Sequence, residues 1–191
     1  MAMTESLVRP QAGDPWTIAD LHWLPDDGNR YEIVDGSLLV SATPAMPHYR
    51  ATNLLQRLLI AQAPNDFIVG QNMGTAIDRS PTRTTYLVPD LTIHHERVMD
   101  REGRAFDPGE VLAVVEVLSP SSVGHDQITK RRFYGHVGIR HYWIVDPPNR
   151  TLTVLRHDGT EGYEEVAVVK PGTTWRTDHP FPLALDPADF T

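Results

Sequence analysis

The chain has 191 residues, no cysteine, and 17 basic against 25 acidic side chains, for a formal net charge of -8. The lack of cysteine excludes a disulfide framework and a thiolate metal site, and the negative balance argues against tight, non-specific wrapping of nucleic acid. An apolar share of 40 % and a charged share of 22 % are ordinary for a soluble globular domain, and no apolar run of about 18 residues predicts a transmembrane helix.

Residues 1–16 read as a loose tail, polar and without the apolar core of a signal peptide. Residues 17–191 read as a single domain. A cytoplasmic location fits this composition.

Thr17 to Leu24 predicts a short amphipathic helix, capped by Thr17 and stopped by Pro25. Arg30–Val34 and Ser37–Val40 flank Asp35-Gly36, a hairpin signal because glycine tolerates the positive φ of a tight turn. Pro47 to Ala63 has helical periodicity, with Leu54, Leu55, Leu58 and Leu59 on one stripe. Phe67 to Gln71 predicts a short strand, and Thr85 to His94 a longer one that carries Asp90. Arg97 to Gly109 predicts a loop.

Val111 to Ser119 is the most apolar strand of the chain, with Glu116 in its midst. Ser121 or Ser122 would cap a helix from Asp126 to Val137, ended by Gly138. Strands follow at His141–Asp146, Thr151–Arg156 and Tyr163–Val169, and Pro171 to Thr191 shows few regular signals. The sum is an α/β or α+β chain: a mixed sheet, a pair of helices, a short N-terminal helix and a β-rich C-terminal part. Strand, helix, strand from Val111 to Asp146 predicts a parallel pair.

Glu116 is the residue that asks for an explanation. Leu112, Val114, Glu116 and Leu118 share one face of their strand. A carboxylate there must be paired, hydrogen-bonded or metal-bound, or it turns neutral. Asp90 ends a neighbouring apolar run, and Lys130 lies on the following helix. Two acids and a lysine from neighbouring elements suit metal-assisted phosphodiester chemistry, because paired carboxylates hold Mg²⁺ or Mn²⁺. Each residue also has a plainer reading. Glu116 and Lys130 could form a buried salt bridge, Asp90 a strand-end cap, and Lys130 an exposed pair with Asp126. Glu32 would face solvent on its hairpin, and His48 at a helix start would be a surface or capping residue, or else contact a metal-bound water or phosphate. Tyr134 and Trp143 read as core. Arg79 with Arg83, Arg97 with Arg101 and Arg104, and Lys130-Arg131-Arg132 read as solvated clusters. Tyr142 to Val145 and the β-rich C-terminus offer an interface for a homodimer of C2 symmetry.

The motifs Arg30-Tyr31-Glu32-Ile33-Val34-Asp35-Gly36, Pro47-His48 and Val88-Pro89-Asp90-Leu91 form an ordered series. It continues with Val114 to Ser122, Asp126 with Lys130 and Tyr134, and Gly138 to Pro147. In this order and spacing the chain resembles the Uma-two family of bacterial proteins, described as restriction endonucleases of the PD-(D/E)XK nuclease superfamily. The resemblance runs over nearly all of Thr17 to Phe190. It implies a restriction-endonuclease-like core, with a mixed central sheet flanked by helices, and a divalent-metal site acting on DNA. It also implies roles by residue. Asp90 is the first acid and Glu116 the second; together they would bind Mg²⁺ (or Mn²⁺), with the Val117 carbonyl as a further ligand. Lys130 stands for the superfamily lysine, and Glu32 for an additional acid. The usual lysine position, two residues after the second acid, is Leu118 here. The alternative is a catalytically degenerate nuclease fold that serves as a binding or regulatory module.

Overall fold

A computed structural model describes residues 11–100, 103, 105–119 and 124–191, and only the backbone of Asp100, His125, Asp126 and Gln127. Most of the 1–16 tail, Arg101, Arg104, Ser121 and Ser122 lie outside them, as does the Asp126 side chain.

The strands are β1 (Arg30–Val34), β2 (Ser37–Ser41), β3 (Phe67–Gln71), β4 (Thr75–Asp78), β5 (Thr85–Leu87) and β6 (Leu91–His95). They continue with β7 (Val111–Val117), β8 (His141–Asp146), β9 (Thr151–His157), β10 (Tyr163–Val169), β11 (Trp175–Thr177) and β12 (Leu183–Leu185). Helix α1 spans Met46–Gln62. Helix α2 (Arg131–His136) continues directly from a π-helical stretch at His125–Lys130. The predicted N-terminal helix is a 3-10 turn at Ile18–Trp23, and the Thr17 N–H and hydroxyl both donate to the Asp20 carboxylate.

The hairpin forms as expected. Asp35 and Gly36 take φ of 47° and 78°, the positive pair that a two-residue turn requires. Helix α1 also forms, and Ala51, Leu55 and Leu59 carry its buried face.

The mixed sheet is present as β10-β9-β8-β7-β6-β3, in which β7 and β8 pair in parallel while the other neighbours are antiparallel. Among the described residues two smaller sheets accompany it, β2-β1-β5-β4 and β11-β12. The single strand expected over Thr85 to His94 is divided. Its first part, β5, joins the hairpin sheet; its second, β6, joins the large one. Pro89 has no N–H to give to a ladder, so pairing stops there and the chain crosses between sheets. Two further features escaped sequence reading, strand β4 and the β11–β12 hairpin in the C-terminal segment.

The large sheet has a core on each face. Ala113, Val115 and Val117 of β7 pack with Leu55 and Leu59 of α1 and with Phe181, Leu183 and Phe190 from the C-terminal segment. Val114 and Leu118 turn the other way and pack with Tyr134, Ile139 and Tyr142. Period-two alternation explains why one apolar strand feeds two cores. Tyr142 to Val145 lies inside this sheet, between β7 and β9, and is buried. It therefore offers no dimer interface, contrary to expectation. No helix among the described residues is long and apolar enough to cross a membrane.

Candidate active site

The crossover at Val88-Pro89-Asp90 leaves backbone groups outside any ladder, and buried backbone groups must find partners elsewhere. Two side chains and one backbone amide supply them. Glu32, on β1, accepts the Val88 N–H at 2.7 Å. Lys130 Nζ lies 3.4 Å from the Val88 carbonyl. The Asp90 carbonyl accepts the Asn72 N–H at 3.3 Å.

Strand pairing then brings Asp90 and Glu116 together. Leu91 stands opposite Val115, and one further step in that register sets Asp90 across from Glu116. Asp90 Oδ2 accepts the Val117 N–H at 2.7 Å, so its carboxylate sits over the Glu116–Val117 peptide link. Both acids are buried.

Two cationic groups meet these acids. Lys130 Nζ lies 3.0 Å from Glu32 Oε1 and 3.0 Å from Glu116 Oε1. All three side chains are at most 3 % exposed. The Tyr134 hydroxyl donates to the same Glu116 oxygen at 3.1 Å. Burial raises the pKa of that phenol well above its ordinary value, and the Glu116 charge adds to the effect. Tyr134 therefore stays a hydrogen-bond donor. On the other side, Arg30 pairs with Asp90 Oδ1 and also donates to Asn72 Oδ1 at 3.1 Å. His48 Nε2 lies 3.0 Å from Asp90 Oδ2.

Several plainer readings are thereby corrected. Glu32 does not face solvent: it is 2 % exposed and holds Lys130. Its strand belongs to the β2-β1-β5-β4 sheet, and its carboxylate reaches the crossover at Val88. Lys130 belongs to no solvated basic cluster, because the helix directs it into the space between the sheets. His48 is buried against Asp90 rather than lying at the surface. The buried Glu116–Lys130 salt bridge is present. Tyr134 is core, yet it also holds the acid. Arg79 pairs with Asp107 and Arg83 with Asp35, so those arginines answer local acids.

Sequence reasoning missed Arg30 as a site residue. It opens the hairpin motif two residues before Glu32, so alternation alone places both on one face of β1.

Burial opposes the charge of Asp90, but the hydrogen bond from His48 and the positive charges of Arg30 and Lys130 outweigh it and hold the carboxyl at about 2. A carboxyl depressed in the folded state adds stability above its unfolded value, near 3.8, and loses it as pH falls toward about 2. We expect this one group to contribute on the order of 2 kcal/mol. Urea titrations between those limits should show Asp90→Asn with a flatter acid limb than the wild type. Equal slopes would mean that Asp90 is not held charged.

Asp90, Arg30 and His48 line an open cleft of about 520 Å³, bounded by β1, the start of α1 and the turn after β3. Glu116, Lys130 and Tyr134 lie behind it.

The chemistry of this donor set suits a hard divalent cation, since the register sets the Asp90 and Glu116 carboxylates across from each other. No three His, Cys, Asp or Glu side chains of the described residues group as a metal cage. The protein would thus give one or two carboxylates, and water or phosphate the remainder, which is how Mg²⁺ is commonly bound.

Comparison with known proteins bears on the family and the fold. The model of the Uma2 family, described as "Putative restriction endonuclease", matches residues 18–188. The chain belongs to the Uma2 family. Among solved structures, this Uma2 chain is similar to one titled a "putative nuclease belonging to DUF820" from Anabaena variabilis ATCC 29413. The two share 18 % identity, cover 92 % of this chain and 97 % of that one, and superpose with a TM-score of 0.65. At that identity the likeness shows the fold, and it includes the mixed sheet with few helices. No curated protein matches the Uma2 chain.

Proposed function

We propose that this protein is a metal-dependent endonuclease that hydrolyses DNA phosphodiester bonds. The observation that carries the reading is the seating of the Asp90 carboxylate over the Glu116–Val117 peptide, with Lys130 against Glu116. Membership in the Uma2 family supports it.

Asp90 and Glu116 would hold Mg²⁺ or Mn²⁺. Val117 directs its N–H to Asp90, and the carbonyl of a strand residue leaves on the same side as its N–H, which supports it as a further ligand. Such an ion, when bound, lowers the pKa of water and neutralises charge on a phosphate. The protein's own groups do the positioning. Lys130 supplies a positive charge held behind the acids by Glu32 and Glu116, where it offsets negative charge developing at the site. Tyr134 fixes the Glu116 carboxylate. Arg30 and His48 keep Asp90 ionised, and Arg30, on the cleft side, is placed to take a phosphate oxygen in exchange for Asp90.

A second reading has its own observation. Lys130 bonds directly to Glu116 at 3.0 Å inside the fold, as in a purely structural ion pair. A degenerate nuclease fold serving as a binding or regulatory module would keep that pair.

Incubating plasmid DNA with the wild type in Mg²⁺, Mn²⁺ or EDTA separates the two. Nicking or linearisation that needs the metal is expected. Intact plasmid, together with no metal uptake by calorimetry, would reject the nuclease in favour of the module.

A further inference from the structure

The cleft in front of Asp90 has walls that acid chemistry alone does not require. Tyr31 lines it from β1 and Tyr49 from α1, and Tyr49 is 59 % exposed. The Tyr31 hydroxyl donates to Asp27 at 2.9 Å, which steadies that ring from outside the cleft. Gln71, at the end of β3, also lines it, and its amide nitrogen is buried with no hydrogen-bond partner among the described residues.

The cleft's volume, about 520 Å³, falls within the roughly 300–1,000 Å³ of clefts that enclose small ligands. It suits one nucleotide, whereas a stacked duplex is much larger. Asp90 lies at its base and is 1 % exposed. A phosphate fixed within the convex outline of a double helix would have difficulty reaching it, while an unpaired nucleotide can enter base first or phosphate first.

Charge points the same way. The chain carries -8 overall, and Arg30 is the cleft's own arginine. Duplex binding draws most of its affinity from many phosphate contacts. Single strands can instead bind by stacking bases on aromatic rings, with base edges read by amides.

We infer that this cleft is a binding site for one unpaired nucleotide of a single-stranded or locally opened nucleic acid. Tyr49 is its stacking surface and Arg30 the phosphate contact. The inference rests on the nuclease reading for its ligand and narrows that reading's substrate to unpaired strands.

The test is fluorescence anisotropy with labelled oligonucleotides of about 12 nucleotides: single-stranded DNA, single-stranded RNA and duplex DNA of one sequence. It is run with the full chain in Ca²⁺ and in EDTA. Either single strand should bind at least about tenfold tighter than the duplex, and the tighter of the two names the sugar. Tyr49→Ala should weaken single-strand binding roughly tenfold while leaving the urea midpoint unchanged, because the ring is exposed. Single-strand affinity should fall only gently with salt, as one or two phosphate contacts require.

Duplex bound as tightly as single strands, no binding to any probe, or a silent Tyr49→Ala would overturn the cleft assignment. Metal-dependent cutting of plasmid beside such a result would leave the nuclease standing and remove only the nucleotide site. Tyr49-dependent single-strand binding without cutting would do the reverse.

Discussion

Lys130→Met should destabilise the fold by about 3–5 kcal/mol, the range seen when one partner of a buried ion pair is removed. Methionine fills a similar volume, so the loss comes from charge rather than from a cavity. Glu32 and Glu116 each lose an ammonium 3.0 Å away, and neither can reach bulk water while the sheets stay closed. The Val88 carbonyl loses it as well. Urea unfolding with linear extrapolation measures the cost. The triple variant Glu32→Gln, Glu116→Gln, Lys130→Met should recover much of it, because no buried charge is then left over. A loss under about 1 kcal/mol for the single variant would mean that water enters the site freely. The triple variant also bears on function. An enzyme would be stable but dead in that form, whereas a structural module would lose nothing it uses.

Asp90→Asn and Glu116→Gln should each lower metal-dependent cleavage by at least about a thousandfold, since a metal ion at a phosphoryl centre supplies several kcal/mol of barrier lowering. Both changes keep shape and remove charge. In Asp90→Asn the amide oxygen can still accept the Val117 N–H. In Glu116→Gln it can still accept the Tyr134 hydroxyl, so both folds should survive. Rates on plasmid, taken beside thermal unfolding of each variant, separate chemistry from stability. Either variant cutting within about tenfold of the wild type would displace the site from these acids. Calorimetry should show weakened Mg²⁺ or Mn²⁺ uptake in both variants, as the proposed sharing of one ion by two carboxylates requires.

Much of this fold is legible in the sequence. The β1–β2 hairpin announces itself through Asp35-Gly36, α1 through its leucine stripe, and β8 through its apolar run. These are local signals, governed by backbone preference and by the period of side-chain exposure. The parallel pairing of β7 and β8 followed from the helix between them. Where reading failed, the deciding contact was non-local. Strand β4 is short and weakly patterned, and it pairs with β5 and bridges to Phe106. The β11–β12 hairpin spans a proline-rich segment whose strands are three residues each, and Phe181, Leu183 and Leu185 pack into the core shared with α1 and the large sheet.

The site divides in the same way. Glu116 was conspicuous in the sequence because a carboxylate in an apolar strand carries a solvation cost that something must offset. Asp90 and Lys130 were visible as companions. The sequence by itself determined that an acid would be buried in β7 and that a lysine would follow on the next helix. Only the tertiary structure decided which charges meet. Pro89 sends the chain from one sheet to the other, and that crossing carries Glu32 to Lys130 and Arg30 and His48 to Asp90. The reason is distance along the chain. Arg30 lies 60 residues from Asp90 and His48 lies 42, separations at which no periodicity speaks and only the packing of two sheets against each other sets a contact.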